Sequence, residues 1–319
     1  MWKRNLSVNK WICLFGLALL IAGMVSGCAE KREETSKTDT IVFTDALGRE
    51  VTASKNPKRV ATLIGSFADV WQLAGGTVCA TAEDAWDDLG LELEGAANIG
   101  GAHSPNLEKL LAASPDFVIA SASTSSDVEM KEALENVGIT VAYFDVDCFE
   151  DYLDMLDICT DLTGRKDLYE KNGLQIQKQI EKSKKELEEK NLSEKQCTVL
   201  LLRASSTSVK AKGSEGTILG EMLNDLGMVN IADSDQSLLE DLSIESIIRQ
   251  EPYHIFVVTM GDDTAVAKNN LSRMMEENPA WDTLEAVREG RMHFMERKLF
   301  NLKPNARWAE AYETLCEIF

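Results

Sequence analysis

Leu107-Glu108-Lys109-Leu110-Leu111 leads through Ser114-Pro115-Asp116 into Phe117-Val118-Ile119, and later in the chain Ile244-Glu245-Ser246-Ile247-Ile248 leads through Glu251-Pro252-Tyr253 into Ile255-Phe256-Val257. The Glu and the Pro are seven positions apart in both copies. Each copy reads as a short helix with apolar residues at helical spacing, a Pro break, and a buried strand. Glu108 and Glu245 both fall early in their helices, where the helix dipole favours a carboxylate. That alone explains either Glu taken singly. The matched pair, one in each half of the chain, points to a shared role.

Working outward from the first copy, Ile41–Thr44 and Glu50–Thr52 flank Leu47-Gly48-Arg49 and predict a β-hairpin, which Asn56-Pro57 breaks. Arg59–Ile64 predicts a buried strand feeding a helix that carries Val70, Trp71 and Leu73 and ends at Gly75-Gly76. Phe117–Ala120 is a second buried strand, 127–137 a helix, and Val141–Phe144 a third strand. Around the second copy, Cys197–Leu202 and Ile255–Val258 read as strands, and 216–226, 243–250, 264–276 and 306–318 as helices. Strand and helix alternating in this way predict mostly parallel sheets covered on both faces. Between the halves lies a helical stretch, Asp151 to about Leu162 and then about Arg165 to Asn191. Its second part is mainly polar, with Leu168, Leu174, Ile176, Ile180 and Leu187 too irregular for a sustained coiled-coil heptad. It reads as a strut. The expected fold is α/β, with two Rossmann-like lobes joined by a single long bridging helix. The boundaries are an N-terminal lobe at 41–164, the bridge at 165–191 and a C-terminal lobe at 192–319.

The 319 residues are 44% apolar, enough for a substantial core, and length alone suggests two domains. The formal charge is −20, from 33 Lys and Arg against 53 Asp and Glu. No basic stripe is available for phosphates, which argues against nucleic acid. Residues 1–28 read as an address rather than structure. Lys3, Arg4 and Lys10 precede an apolar run from Trp11 to Val25, short for a membrane span, which ends in Val25-Ser26-Gly27-Cys28. Small residues before a Cys look like a bacterial lipobox, with Cys28 lipidated and left as the first mature residue. An N-terminal membrane anchor with an incidental Cys is the alternative. Residues 29–40 form a polar tether. Removing the leader takes away three cations, so 30 remain against 53 acidic residues, a charge of −23. The expected location is the extracytoplasmic face of the cell membrane, held by a lipid anchor.

Cys79, Cys148, Cys159, Cys197 and Cys316 have largely apolar neighbours and read as buried free thiols rather than a disulfide framework. No G-x-S-x-G, P-loop, G-x-G-x-x-G or H-E-x-x-H motif occurs, so an enzyme is not expected. Gly213-Ser214-Glu215-Gly216 precedes a helix and reads as a turn, with anion binding as the alternative. Asp84, Asp87 and Asp88, like Asp145 and Asp147, read as solvated. Trp71 and Trp308 read as core.

Taken together, the lipobox, Asp45-Ala46-Leu47-Gly48-Arg49, Asn56-Pro57-Lys58-Arg59-Val60, Pro105-Asn106-Leu107-Glu108, Pro115-Asp116-Phe117-Val118-Ile119 and the bridging helix resemble the substrate-binding proteins of ABC importers. The class resembled is the helix-bridged one serving ferric siderophores, haem and cobalamin. The resemblance covers roughly residues 40–319. It implies a ligand cleft between the lobes and a Glu on each lobe that docks onto the permease, at the positions of Glu108 and Glu245. It implies as partners a permease dimer with its ATPase subunits and a small-molecule metal chelate, with the binding protein a monomer.

Loops after strand C-termini should supply the ligand contacts. They offer Ser66, Phe67, Trp86 and Ser121 in the first lobe, and Arg203, Lys210, Lys212, Met260, Arg297, Phe300 and Arg307 in the second. His103, in a loop just before Glu108, is a candidate for contacting a chelate or ligating haem iron. With only three scattered His, a bare divalent metal site is not expected. No resident cofactor is expected. The cargo expected is a ferric siderophore, with haem or a corrinoid as runner-up. The alternative of another class is an extracytoplasmic enzyme or redox subunit on a related two-lobed scaffold.

Overall fold

The computed structural model describes residues 39–261 and 264–319. The leader, Cys28 and nearly all of the tether lie outside the described residues. The predicted hairpin forms from β1 (Thr40–Thr44) and β2 (Glu50–Ser54), paired antiparallel. Asp45 builds its turn: Oδ1 accepts from the N–H of Leu47 at 3.1 Å and of Arg49 at 3.0 Å, while Gly48 takes φ +73°. An Asx turn followed by a left-handed Gly closes the loop without strain.

The first lobe is a five-stranded parallel sheet in the order β5-β4-β3-β6-β7, from β3 (Val60–Thr62), β4 (Val78–Thr81), β5 (Ala97–Asn98), β6 (Phe117–Ser121) and β7 (Thr140–Phe144). The second is a sheet in the order β10-β8-β11-β12, from β8 (Thr198–Ala204), β10 (Val229–Asn230), β11 (His254–Thr259) and β12 (Met292–Phe294). β9 (Val209–Lys212) is added antiparallel to β8. The repeated strands β6 and β11 sit inside their sheets, which is why both read as unbroken apolar runs.

Side-chain alternation sorts these strands between three apolar clusters. Val118 and Ala120 of β6 face outward in the first lobe, and Ile255 and Val257 of β11 do the same in the second. Phe117, Ile119, Phe256 and Val258 instead belong to one cluster that runs through both lobes. Ile176, Ile180 and Leu187 of the bridging helix and Trp308, Tyr312 and Leu315 of the last helix (Trp308–Ile318) complete it.

The bridge runs without a break from Lys166 to Glu188, slightly inside its expected ends, over roughly 35 Å. A single π turn, Glu170–Leu174, interrupts its α geometry. Tyr152 of the preceding helix (Phe149–Thr163) donates its hydroxyl to the Asn172 carbonyl at 2.8 Å, satisfying a group such a turn leaves open. Gly173 lets the two helices touch, since a Cβ there would lie 2.9 Å from Leu153 Cδ2.

Candidate functional site

A cleft of about 580 Å³ opens between the lobes, at the C-terminal ends of strands from both sheets. Ile64 and Ser66 enter it after β3, Glu83, Asp84, Asp87, Asp88 and Leu89 after β4, Gly101 to Ser104 after β5, and Ser121, Ser123 and Thr124 at and after β6. From the other lobe come Arg203 of β8, Met260 and Gly261 after β11, and Arg297 with Asn301 to Lys303 after β12. This is the edge at which open parallel sheets gather ligand contacts.

The first wall depends on a close backbone contact. Gly65 opens helix Gly65–Leu73, and a Cβ on it would lie 2.4 Å from the Ala85 nitrogen. Its N–H donates to both Asp84 carboxylate oxygens, at 2.9 and 3.0 Å. This pins the helical turn Asp84–Asp87 against the cleft. Burial pushes the Asp84 carboxyl above its usual range; the Gly65 N–H opposes the shift and the nearby Asp88 adds to it. Under the Ser121 edge lies Asp127, fully buried. Its Oδ2 accepts the Ser121 N–H at 2.9 Å and its Oδ1 has no partner. Desolvation raises its pKa to about 7.

Among the described residues, polar links cross from the second lobe to the first at Arg297, Lys303 and Asn305. Arg297 holds Asp88 with two hydrogen bonds of 2.5 and 2.9 Å, the paired geometry that suits a guanidinium and a carboxylate. Lys303 Nζ donates to the Val146 carbonyl at 2.6 Å, and burial lowers its pKa. Buried Asn305 donates from Nδ2 to the Ser66 carbonyl at 2.9 Å and to Asp69 at 2.8 Å. Arg203 is different. No hydrogen bond or ion pair engages its guanidinium among the described residues, its Nε is buried without a partner, and desolvation lowers its pKa.

Of the residues expected to meet a ligand, the cleft brings together Ser66, His103, Ser121, Arg203, Met260 and Arg297. The others stand elsewhere. Phe67 is fully enclosed and packs edge-on against Phe144, because the helix starts at Gly65 and turns this ring inward. Phe300 is 2% exposed within the shared core. Trp86 is half-buried on the turn that forms the wall but does not line the cleft. Lys210 is exposed on β9. Lys212 lines a neighbouring recess with Arg203 and the Gly213–Thr217 turn. In that turn Ser214 gives its N–H and hydroxyl to Asp233 at 2.8 and 2.6 Å, so donors that could have met an anion are already taken. Arg307 is held on the surface by Glu296 and Glu310.

The reading of Asp84 and Asp88 as simply solvated is corrected, since both are half-buried in the cleft wall and held by the Gly65 N–H and by Arg297, while Asp87 lines the cleft exposed. Glu83, Asn301 and Lys303 were not anticipated. Neighbouring acids after a strand were a usable signal for the first, and the residues after Phe300 for the other two. Glu108 and Glu245 are both exposed, and each is the second residue of its helix (Leu107–Ala112 and Ile244–Gln250). Each follows a side-chain cap: Asn106 accepts the Lys109 N–H at 2.9 Å, and Ser243 the Ser246 N–H at 3.3 Å. The repeat seen in the sequence is therefore a repeat of helix starts.

A family profile described as "Periplasmic binding protein" matches residues 60–299. The Fe(3+)-citrate-binding protein YfmC of Bacillus subtilis (strain 168) is 25% identical over 300 residues, covering 91% of this chain and 90% of that protein. The ABC transporter substrate-binding lipoprotein YvrC of the same organism is 24% identical, with 97% of each chain covered. Among solved structures, Staphylococcus aureus SirA complexed with staphyloferrin B superimposes with a TM-score of 0.65 at 20% identity, over 87% of this chain and 96% of that one.

Proposed function

The chain belongs to the periplasmic binding protein family, and from that premise we propose that it is the extracytoplasmic substrate-binding component of an ABC importer, carrying a ferric siderophore in the interlobe cleft to a permease dimer driven by ATPase subunits. The observation that carries this reading is the cleft itself. It draws polar and charged residues from both sheets, sits at the strand ends, and is large enough for a small chelate. The relative named for ferric citrate supports this cargo class, and the one named for ABC transport supports the importer role. Cys28 is the anchor in this reading, and the protein acts as a monomer that binds and releases without turnover.

Glu108 and Glu245 serve as the docking contacts. A crossover helix runs antiparallel to the strands of its sheet, so its start lies toward the same strand ends as the cleft. A carboxylate on each lobe can pair with permease cations through charge-assisted hydrogen bonds and so report both lobes at once.

Haem is a second reading because His103 lines the cleft. No Phe, Tyr or Trp side chain lines it among the described residues, which leaves a porphyrin face little to stack on. The test is native mass spectrometry and visible absorption of the detergent-solubilised full chain after exposure to ferric siderophores, haem and cobalamin. One-to-one mass additions with ferric chelates are expected. A Soret band with no chelate adduct would replace the siderophore reading with haem.

A further inference from the structure

The charges in the cleft are divided by wall. Glu83, Asp84, Asp87 and Asp88 stand on the first lobe; Arg203, Arg297 and Lys303 face them from the second. Two of these three cations are already engaged, Arg297 by Asp88 and Lys303 by the Val146 carbonyl, with Asp147 4.0 Å away. Opening the Arg297–Asp88 pair would expose one charge of each sign and leave the balance as it is. Glu83 and Asp87 are exposed and have no side-chain partner among the described residues. Among the described residues, a cargo therefore meets one unengaged cation, Arg203, across from at least two unengaged carboxylates.

Resting on the carrier reading above, we propose that the cleft selects a dipolar metal chelate, neutral or positive overall, that sets a protonated amine toward Glu83 and Asp87 and an anionic oxygen edge toward Arg203. Charges held by low-dielectric walls act more strongly than in open water. A polyanionic chelate placed here meets one guanidinium and is repelled by two carboxylates. The hydroxyls of Ser121 and Ser123, 3.1 Å apart, can donate or accept and so serve either end of a dipole.

The test titrates the detergent-solubilised full chain, by quenching of tryptophan fluorescence, with four ferric probes. These are a linear trihydroxamate with a pendant ammonium (ferrioxamine B), a neutral cyclic trihydroxamate (ferrichrome), ferric citrate and a ferric tris-catecholate. The ammonium-bearing chelate is expected to bind at least about tenfold more tightly than either polyanion, the difference that one charge-assisted hydrogen bond makes. Substituting Glu83→Gln and Asp87→Asn together should weaken that chelate about tenfold or more, leave ferrichrome nearly unchanged, and narrow the gap to ferric citrate. Ferric citrate or the catecholate binding most tightly, or a double variant with unaltered ratios, overturns the charge selection and leaves the carrier reading standing. Binding of none of the four overturns both.

Discussion

Asp127 has no exposed surface, a single hydrogen bond to the Ser121 N–H on one carboxylate oxygen, and no partner for the other. Desolvation, opposed by the Ser121 N–H and reinforced by the charge of Asp84, lifts its pKa from 3.8 to about 7. The native form thus keeps its proton over a range in which the unfolded chain has lost it. Stability from this group is whole below pH 3.8, is lost as pH rises toward 7, and changes no further above that. Asp127→Asn keeps an acceptor for Ser121 without the charge. Measured by urea unfolding, it should match the parent near pH 4 and exceed it by up to about 4 kcal/mol near pH 8. An offset that does not vary with pH would contradict the assignment. At this scale the sequence was uneven. Trp71 and Trp308 were legible as core, at 2% and 0% exposure, because their neighbours are apolar at helical spacing. Asp84 was not, because nothing in the local run shows that a distant glycine draws it beneath a cleft.

That glycine acts on a whole element. Gly65 allows the turn Asp84–Asp87 to approach helix Gly65–Leu73 to backbone contact. Gly65→Ala places a methyl against backbone rather than a yielding side chain, so the turn must move. A loss of about 1–3 kcal/mol is expected, read as a lower midpoint in thermal unfolding, together with weaker chelate binding because the acidic wall shifts. Unchanged affinity in a destabilised variant would show that this wall does not touch cargo. The central strands could be read from sequence because β6 and β11 are buried on both faces and carry apolar residues throughout. The two-residue edge strands β5 and β10 could not, being too short to show a period. Phe67 and Phe300 were drawn toward the ligand by their place after strands. The phase of a helix that begins immediately at the strand end decided otherwise for Phe67.

Across the whole molecule, the apolar cluster shared by both sheets, the bridge and the last helix governs how far the lobes can move. Lobes divided by a polar seam swing freely, whereas an extensive apolar interface resists. Asp225 fastens the bridge to the second lobe, accepting from Tyr312 of the last helix at 2.7 Å and from Lys184 of the bridge at 2.5 Å. Closure on cargo should be slight, so Glu108 and Glu245, the carboxylates proposed for docking, should keep a nearly fixed separation. Reversing either, as Glu108→Lys or Glu245→Lys, should lower uptake by cells more than about tenfold, because a reversed charge faces its former partner, while chelate affinity stays near that of the parent. Uptake at the parental rate would remove the docking role.

The most direct measurement is amide hydrogen exchange on the full chain with and without a bound ferric chelate. Protection is expected together at Ile64–Ser66, Glu83–Leu89 and Ser121–Thr124 of one lobe and at Arg203, Met260–Gly261 and Asn301–Lys303 of the other, with the bridge at 166–188 unchanged. Protection confined to one lobe, or lying away from these segments, would contradict a cargo gripped between two walls.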